Sequence, residues 1–320
     1  MYKTTVIIPN YNGIAYIEKC LLTVLASETK TDVIVVDNGS ADGSKELVKS
    51  RFPEVTLVEL ETNTGFCFAV NTGIEKAKTP YVILLNNDTE VSPDAFKRLE
   101  EDLDRDDTLF SVQSKMVSLK DKDKIDGAGD IYCALGWAHA LGKGRPSSKY
   151  TGLKKVFSAC AGAAIYRKEI LDKIGYLDNN HFAYLEDVDL GYRARIYGYK
   201  NAVDLDSVVF HAGSASSGSR YNEFKIINSA KNSIYLIYKN MPLVQLIINL
   251  PLLLLGYFIK FLFFLFKGYA GTYLKGIGEG FKLSFDKNTR KNKVRFAFSR
   301  LSRYIYIEIM LLINIVRMFL

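Results

Sequence analysis

The chain has 320 residues, of which 48% are hydrophobic, 24% charged and only seven proline. That is enough apolar surface for a sizeable core, and it excludes disordered, collagen-like and mini-protein classes. One large domain or two smaller ones fit the length. Cys20, Cys67, Cys133 and Cys160 form no C-x-x-C pair, and the first residues lead into a β-branched segment instead of a secretory apolar stretch. The expectation is a reduced, cytoplasmic protein. The formal charge of +7 conceals two unlike parts, with 28 basic against 32 acidic residues in 1–230 and 14 against 3 in 231–320. Because the basic residues of the second part alternate with long apolar runs, they suit an anionic membrane surface and not a nucleic-acid groove.

In chain order, Thr4 to Pro9 is a short β-branched run, followed by an Asn/Gly turn and an apolar-periodic stretch from Ala15 to Ala26. This predicts strand, loop, helix. Asp32 to Asp37 repeats the pattern before a helix from about Gly43 to Arg51, Val55 to Leu60 reads as a third strand, and Tyr81 to Leu85 as a fourth. Strands apolar throughout must be covered on both faces, so their alternation with helices predicts a parallel α/β sheet whose ligands gather at the carboxyl ends of the strands. Those ends carry Asn10-Tyr11-Asn12-Gly13, Asp37-Asn38-Gly39-Ser40 and Asn86-Asn87-Asp88. No G-x-G-x-x-G follows the first strand and no G-x-x-x-x-G-K-[ST] occurs, which argues against a dinucleotide cofactor and a P-loop. The cluster Gly276-Ile277-Gly278-Glu279-Gly280 follows no strand.

Five stretches together resemble the family-2 glycosyltransferases, inverting enzymes of the GT-A fold. They are Val6 to Gly13, Val35 to Ser44, Asn63-Thr64-Gly65-Phe66 with Asn71, Leu84 to Thr89, and Tyr184-Leu185-Glu186-Asp187-Val188-Asp189. The resemblance is nearest to rhamnosyltransferase-like members of bacterial surface-polysaccharide synthesis. It implies a Rossmann-like mixed sheet flanked by helices over residues 1–230, followed by a helical, membrane-attached region over 231–320. It also implies transfer of a sugar, rhamnose from dTDP-rhamnose in the first instance, to a polyprenyl-diphosphate-linked saccharide. The competing readings are transfer from a UDP-sugar to polyprenyl phosphate and a non-catalytic membrane scaffold of the same fold.

A sugar-nucleotide donor carries a diphosphate whose charge a hard divalent cation, Mg2+ or Mn2+, neutralises well. Asp88 stands where the second carboxylate of the family's D-x-D signature would be, with Asn86 in place of the first. By the same resemblance Asp37 reads the nucleotide base, Pro9, Asn10 and Tyr11 line its pocket with Asn87, and Asn63 and Gly65 bring backbone close to it. A helix cap is the alternative for Asp37, and an ordinary turn for the segment from Asn63 to Asn71. Inverting transfer needs a carboxylate to deprotonate the acceptor hydroxyl, and the resemblance gives this task to Asp187. Glu186 and Asp189 then orient the acceptor, bind Arg193 or Arg195, or favour the start of a helix. The small-residue run from Cys160 to Ile165, with Gly162, either admits substrate or packs tightly as a core strand. His211 follows another β-branched run and matches a metal or diphosphate contact of the family, a buried structural role being its alternative. The segment from Gly213 to Ser219 reads as a flap, with Arg220 as an added phosphate contact. Trp137 and His139 belong either to the acceptor pocket or to a surface loop.

Leu243 to Phe266 is apolar apart from Lys260, long enough at 1.5 Å per residue to cross a hydrocarbon layer of about 30 Å. One crossing would place the cationic stretch from Lys267 to Arg303 outside, against the positive-inside rule. Pro251, and a second run from Tyr304 to Leu320 broken by Glu308 and Arg317, favour helices lying in the interface at the cytoplasmic face of the cell membrane, peripheral or monotopic. A soluble helical subdomain or a homo-oligomer interface would use the same apolar faces.

Overall fold

In the computed structural model, which describes residues 2–213 and 221–318, the first four apolar runs become strands β1 (Thr4–Asn10), β2 (Asp32–Asn38), β3 (Thr56–Leu60) and β4 (Tyr81–Leu85). Helices α1 (Ile17–Leu25), α2 (Ser44–Arg51) and α3 (Phe66–Lys76) fill the connections. Neighbours in the order β3, β2, β1, β4 are all parallel. Alternate side chains enter two separate cores, Val6, Ile8, Val35 and Ile83 on one face and Ile7, Val36, Val82 and Leu84 on the other. Burial on both faces is why these strands lack a polar period.

Beyond β4 the sheet is mixed and not parallel. The chain continues through β5 (Thr89–Val91), α4 (Ala95–Arg105), β6 (Leu109–Ser118), β7 (Ile125–Gly127), β8 (Asp130–Tyr132), β9 (Ala138–Ala140), β10 (Leu153–Val156), β11 (Ala163–Arg167) and α5 (Lys168–Ile174). Helix α6 (Glu186–Tyr197) and strand β12 (Lys200–His211) complete this part. β11 inserts between β4 and β6, antiparallel to both. β12 runs parallel to β6, and its last residue, His211, pairs with Thr89 of β5. That register carries the end of a late strand back beside the Asn-Asn-Asp turn after β4.

The division expected at residue 230 falls inside α7 (Glu223–Asn240), which is one continuous helix. Its C-terminal half is bound to the sheet domain through a buried ion network. Asp189 is fully buried, its Oδ2 accepting from Arg193 Nε at 3.0 Å and from Lys239 Nζ at 2.8 Å, and its Oδ1 from Asn240 Nδ2 at 2.7 Å. Lys239 also reaches Asp178 at 2.8 Å. Burial alone would raise both aspartates, but the Lys239 charge, joined at Asp189 by Arg193, more than offsets it and holds both carboxyls below the usual range. Asp189 is thus a tie between α6 and α7: of its expected roles, binding Arg193 is the one present, and it does not line the cleft where an acceptor would sit.

Helices α8 (Leu243–Phe266), α9 (Ala270–Phe285) and α10 (Leu301–Arg317) follow. Each presents a narrow inner stripe to the body, Gln245, Asn249, Leu253 and Gly256 in the case of α8. Two of the three residues that interrupt the apolar runs face inward, Arg317 being exposed: Glu308 of α10 accepts from Gln245 at 2.9 Å and from Asn249 at 2.8 Å, and Lys260 lies over the Trp137 ring. Trp137 Nε1 donates to the Gly256 carbonyl at 3.1 Å, so Trp137 serves α8 and not the acceptor pocket. Outward, Leu243, Val244, Ile247, Ile248, Leu254, Phe258 and Phe266 are exposed, as are Ile305, Tyr306, Ile313 and Val316 of α10. The Gly276 and Gly280 cluster lets α9 lie against α7, because a Cβ there would come within 2.7 and 2.6 Å of the Ile227 and Lys231 carbonyls.

A carboxyl depressed in the folded state contributes stability above its unfolded value, near pH 4, and that stability is lost as pH falls through the folded value. Asp189→Asn should therefore destabilise the protein by about 3–5 kcal/mol at neutral pH, with the deficit shrinking below about pH 4. Urea midpoints across that range check it, and a deficit independent of pH would contradict the network's charge.

Candidate active site

The carboxyl ends of β1, β2 and β4, the β11 start, the α6 N-terminus and the end of β12 border one cleft of about 930 Å³. Of the residues expected to act, Pro9, Asn10, Tyr11, Asn63, Gly65, Asn87, Asp88, Gly162, Glu186, Asp187 and His211 line it. Asp37 and Asp189 do not. Of the segment expected to close over it, Gly213 to Ser219, all but Gly213 lies outside the described residues, as does Arg220.

At one end the loops after β1, β2 and β4 hold each other through side-chain amides, as short polar residues in turns can. Asn87 Nδ2 donates to Asn10 Oδ1 at 2.7 Å, and a Cβ at Gly13 would sit 2.1 Å from that Asn87 nitrogen. Asn10 Nδ2 in turn donates to Asp37 Oδ1 at 3.0 Å, while the Ser40 N–H donates to Asp37 Oδ2 at 3.0 Å. Asp37 is 1% exposed and fixes the two loops from behind. Contact with the cleft passes to its neighbour Asn38, whose Nδ2 donates to Asn63 Oδ1 at 3.1 Å and to the Gly65 carbonyl at 3.2 Å. Gly65, at φ +90°, lies under the Phe182 ring, which a Cβ would approach to 2.6 Å.

Asp88 projects from the same end with His211 Nε2 at 3.2 Å from its Oδ1. The other ring nitrogen of His211 meets Asp126 Oδ2 at 2.7 Å, and Lys143 pairs with Asp126 Oδ1 at 2.7 Å. Burial would lower the imidazole, but hydrogen bonds to Asp126 and Asp88 prevail and raise it to about 9. A carboxylate beside an imidazole whose far nitrogen is fixed by a second carboxylate is a donor set that suits a divalent ion. Asp88 and His211 are the residues that fit it. Among the described residues one group of three possible ligands exists, Asp130, Cys160 and Asp187, with atoms within 4.8 Å of one another. Burial holds the Cys160 thiol well above its ordinary range, so it is protonated and a poor partner for a hard cation.

At the opposite end stand Glu186 and Asp187 in the first turn of α6. Burial, the Asp187 charge adding to it, pushes Glu186 up to about 8, and its Oε2 is buried without a partner among the described residues. Burial likewise raises Asp187, partly offset by hydrogen bonds from the Val188 N–H, the Cys160 thiol and the Ala161 N–H. Carboxyls raised in this way favour a proton acceptor near neutral pH.

The loop that delivers this turn is strained. Phe182, Tyr184 and Leu185 have φ of 63°, 75° and 65°, a region costly for side chains with a Cβ. Asn232 of α7, fully buried, directs its Nδ2 to the carbonyls of His181 at 2.9 Å, Ala183 at 2.8 Å and Tyr184 at 2.7 Å. Sequence reasoning missed both Asn232 and Asp130. Nothing local marks either: Asn232 is one of several polar residues on the buried side of α7, beside Asn228, Ser233 and Asn240.

The description "Glycosyl transferase family 2" matches residues 5–175. The N-acetylglucosaminyl-diphospho-decaprenol L-rhamnosyltransferase of Mycobacterium tuberculosis is 26% identical over 241 residues, 67% of this chain and 77% of that one. The poly-β-1,6-N-acetyl-D-glucosamine synthase of Staphylococcus aureus is 27% identical over 199 residues, 61% of this chain but only 46% of the synthase. A solved mannosyltransferase, PcManGT from Pyrobaculum calidifontis in complex with GDP-Man and Mn2+, shares the fold with a TM-score of 0.54 at 18% identity, over 96% of this chain and 87% of its own. The chain belongs to glycosyl transferase family 2 and is a glycosyltransferase of the GT-A fold.

Proposed function

We propose that the protein transfers a sugar, with inversion, from a nucleotide-diphosphate donor to a polyprenyl-diphosphate-linked saccharide in cell-surface polysaccharide synthesis, with dTDP-rhamnose as first donor. The observation that carries this reading is that Asp88 and His211 at one end and Asp187 at the other line a single cleft. The M. tuberculosis relative, named for rhamnosyl transfer to a decaprenol-linked acceptor, supports the choice of donor and acceptor.

In this mechanism the nucleotide lies against Pro9, Asn10, Tyr11, Asn38, Asn63 and Gly65, with Asn87 bracing Asn10. Mg2+ or Mn2+, held by Asp88 with His211, would neutralise the leaving diphosphate. Asp187 takes the proton of the acceptor hydroxyl as its oxygen bonds to the anomeric carbon, and the bond from that carbon to the diphosphate breaks on the opposite side. Glu186 stays protonated near neutral pH and hydrogen-bonds the acceptor. Asp187→Asn should lower acceptor-dependent nucleotide release by about 10²–10⁴-fold with donor affinity kept within about threefold. Wild-type turnover in that variant would remove the base from the proposal.

Residues 231–320 would attach the enzyme to the cytoplasmic face of a membrane. An arrangement with Lys260 and Glu308 inward and bulky apolar side chains outward fits a hydrocarbon environment, with the basic stretch from Lys287 to Arg303 over anionic headgroups. α8 is the one helix among the described residues long and apolar enough to span. Its stripe from Gln245 to Gly256, bound to the body, favours lying along the surface instead. The pair Leu254→Glu and Phe258→Glu should abolish flotation with liposomes containing anionic lipid while leaving the fold intact; undiminished flotation would refute the attachment.

A further inference from the structure

The cleft contains a third carboxylate at the Asp187 end that the mechanism above does not use. Asp130 opens β8, its main-chain N–H donating to Ser158 and its carbonyl accepting from Phe157, so the backbone is fixed on both sides. Its side chain lines the cleft, and among the described residues no hydrogen bond satisfies that carboxyl. Half-buried at the cleft wall, it is open to a ligand from the cleft. Asp130 and Asp187 come from different elements, yet their oxygens stand within 4.8 Å of each other. Glu186, 8% exposed with Oε2 unpartnered, borders the same space.

The spacing selects a ligand class. Two like carboxyls at this distance repel when both are ionised, and Asp130, unlike Asp187, receives no hydrogen bond among the described residues. The protein supplies little: the groups facing Asp130 are Asp187 and Glu186 of α6, Lys143 at longer range, and the Cys160 and Tyr166 side chains, which burial keeps neutral. Neighbouring hydroxyls of a sugar ring lie roughly 3 Å apart, and each donates one bond of about 2.7 Å to an oxygen. Two such bonds reach carboxylates separated as these are. The floor of Ala161 and Gly162 and the wall of Ala138 and Ala140 are small enough to admit a pyranose.

We propose that Asp130 is an acceptor-binding, specificity-determining residue, holding the hydroxyl next to the one that Asp187 deprotonates, so that the site takes acceptor sugars with a vicinal diol. This deepens the reading given under Proposed function and rests on its assignment of Asp187. No bond to Asp130 forms or breaks; the transferred proton goes to Asp187.

The test uses methyl β-glycosides of N-acetylglucosamine, glucose and galactose, offered to the full chain with dTDP and Mn2+ and followed by saturation-transfer NMR. For each glycoside that binds, KM is then measured in transfer from dTDP-rhamnose. Asp130→Ala should weaken glycoside binding and raise the glycoside KM at least tenfold, with dTDP affinity and donor KM within twofold of wild type. Asp130→Asn, which keeps an acceptor oxygen, should recover to within about threefold of wild type. A 3-deoxy or 4-deoxy glycoside lacking the contacted hydroxyl should bind wild type and Asp130→Ala equally. Glycoside affinity unchanged in Asp130→Ala, an equal loss of dTDP affinity, or a folded wild type that binds dTDP but no glycoside would each overturn the assignment. A wild type that binds glycosides and dTDP but transfers nothing would instead defeat the proposed activity, leaving the affinities to decide Asp130.

Discussion

The geometry of this protein depends on helix α7 gripping the strained loop that leads into α6. Three residues with side chains are held at positive φ just before Glu186. Such conformations cost of order 1–3 kcal/mol each and persist only where surroundings over-determine them. Here the surroundings are Asn232, donating to the loop carbonyls of His181, Ala183 and Tyr184, and Lys239, bridging Asp178 before the loop and Asp189 after it. The helix α7 therefore sets where the first turn of α6 points, and through it where Asp187 stands relative to Asp88.

The same helix links the cleft to the lipid-facing surface argued for residues 231–320. α9 packs on α7 through Gly276 and Gly280, and Tyr257 of α8 donates to Ser233 of α7 at 3.2 Å. The loop, α7 and the apolar helices form one packed unit. An acceptor tethered in a membrane and a donor arriving from solution would then meet in a cleft whose two ends are built by different parts of the chain. The donor end comes from turns after parallel strands; the acceptor end comes from β8, β11 and α6.

Much of this was legible in the sequence, for physical reasons that differ by region. The parallel half announces itself because strands covered on both faces are apolar without interruption, and the polar turns that follow them are confined to strand ends. Asp88 and His211 stand at such ends, whereas Asp187, in the first turn of α6, was singled out only through the family resemblance of its acidic motif. The rest depended on contacts remote in sequence. Nothing in Val35-Val36-Asp37-Asn38 says which of the two polar residues turns inward, and it is Asp37 that does so. Asp189 shares its turn with Asp187 but points to α7, since successive residues on a helix lie about 100° apart. The mixed half of the sheet arises from the insertion of β11 between β4 and β6, and no local periodicity encodes the direction of a strand. Residue 230 divides composition well and structure poorly, because α7 changes its partners without a break in the helix.

The most direct test of the grip by α7 is amide hydrogen exchange of the Asn232→Ala protein read together with its turnover. The account predicts faster exchange concentrated in residues 181–187, a fall of at least tenfold in kcat, and a donor KM unchanged within twofold. Exchange and kcat both equal to wild type would show that the loop holds its shape, and Asp187 its place, without α7.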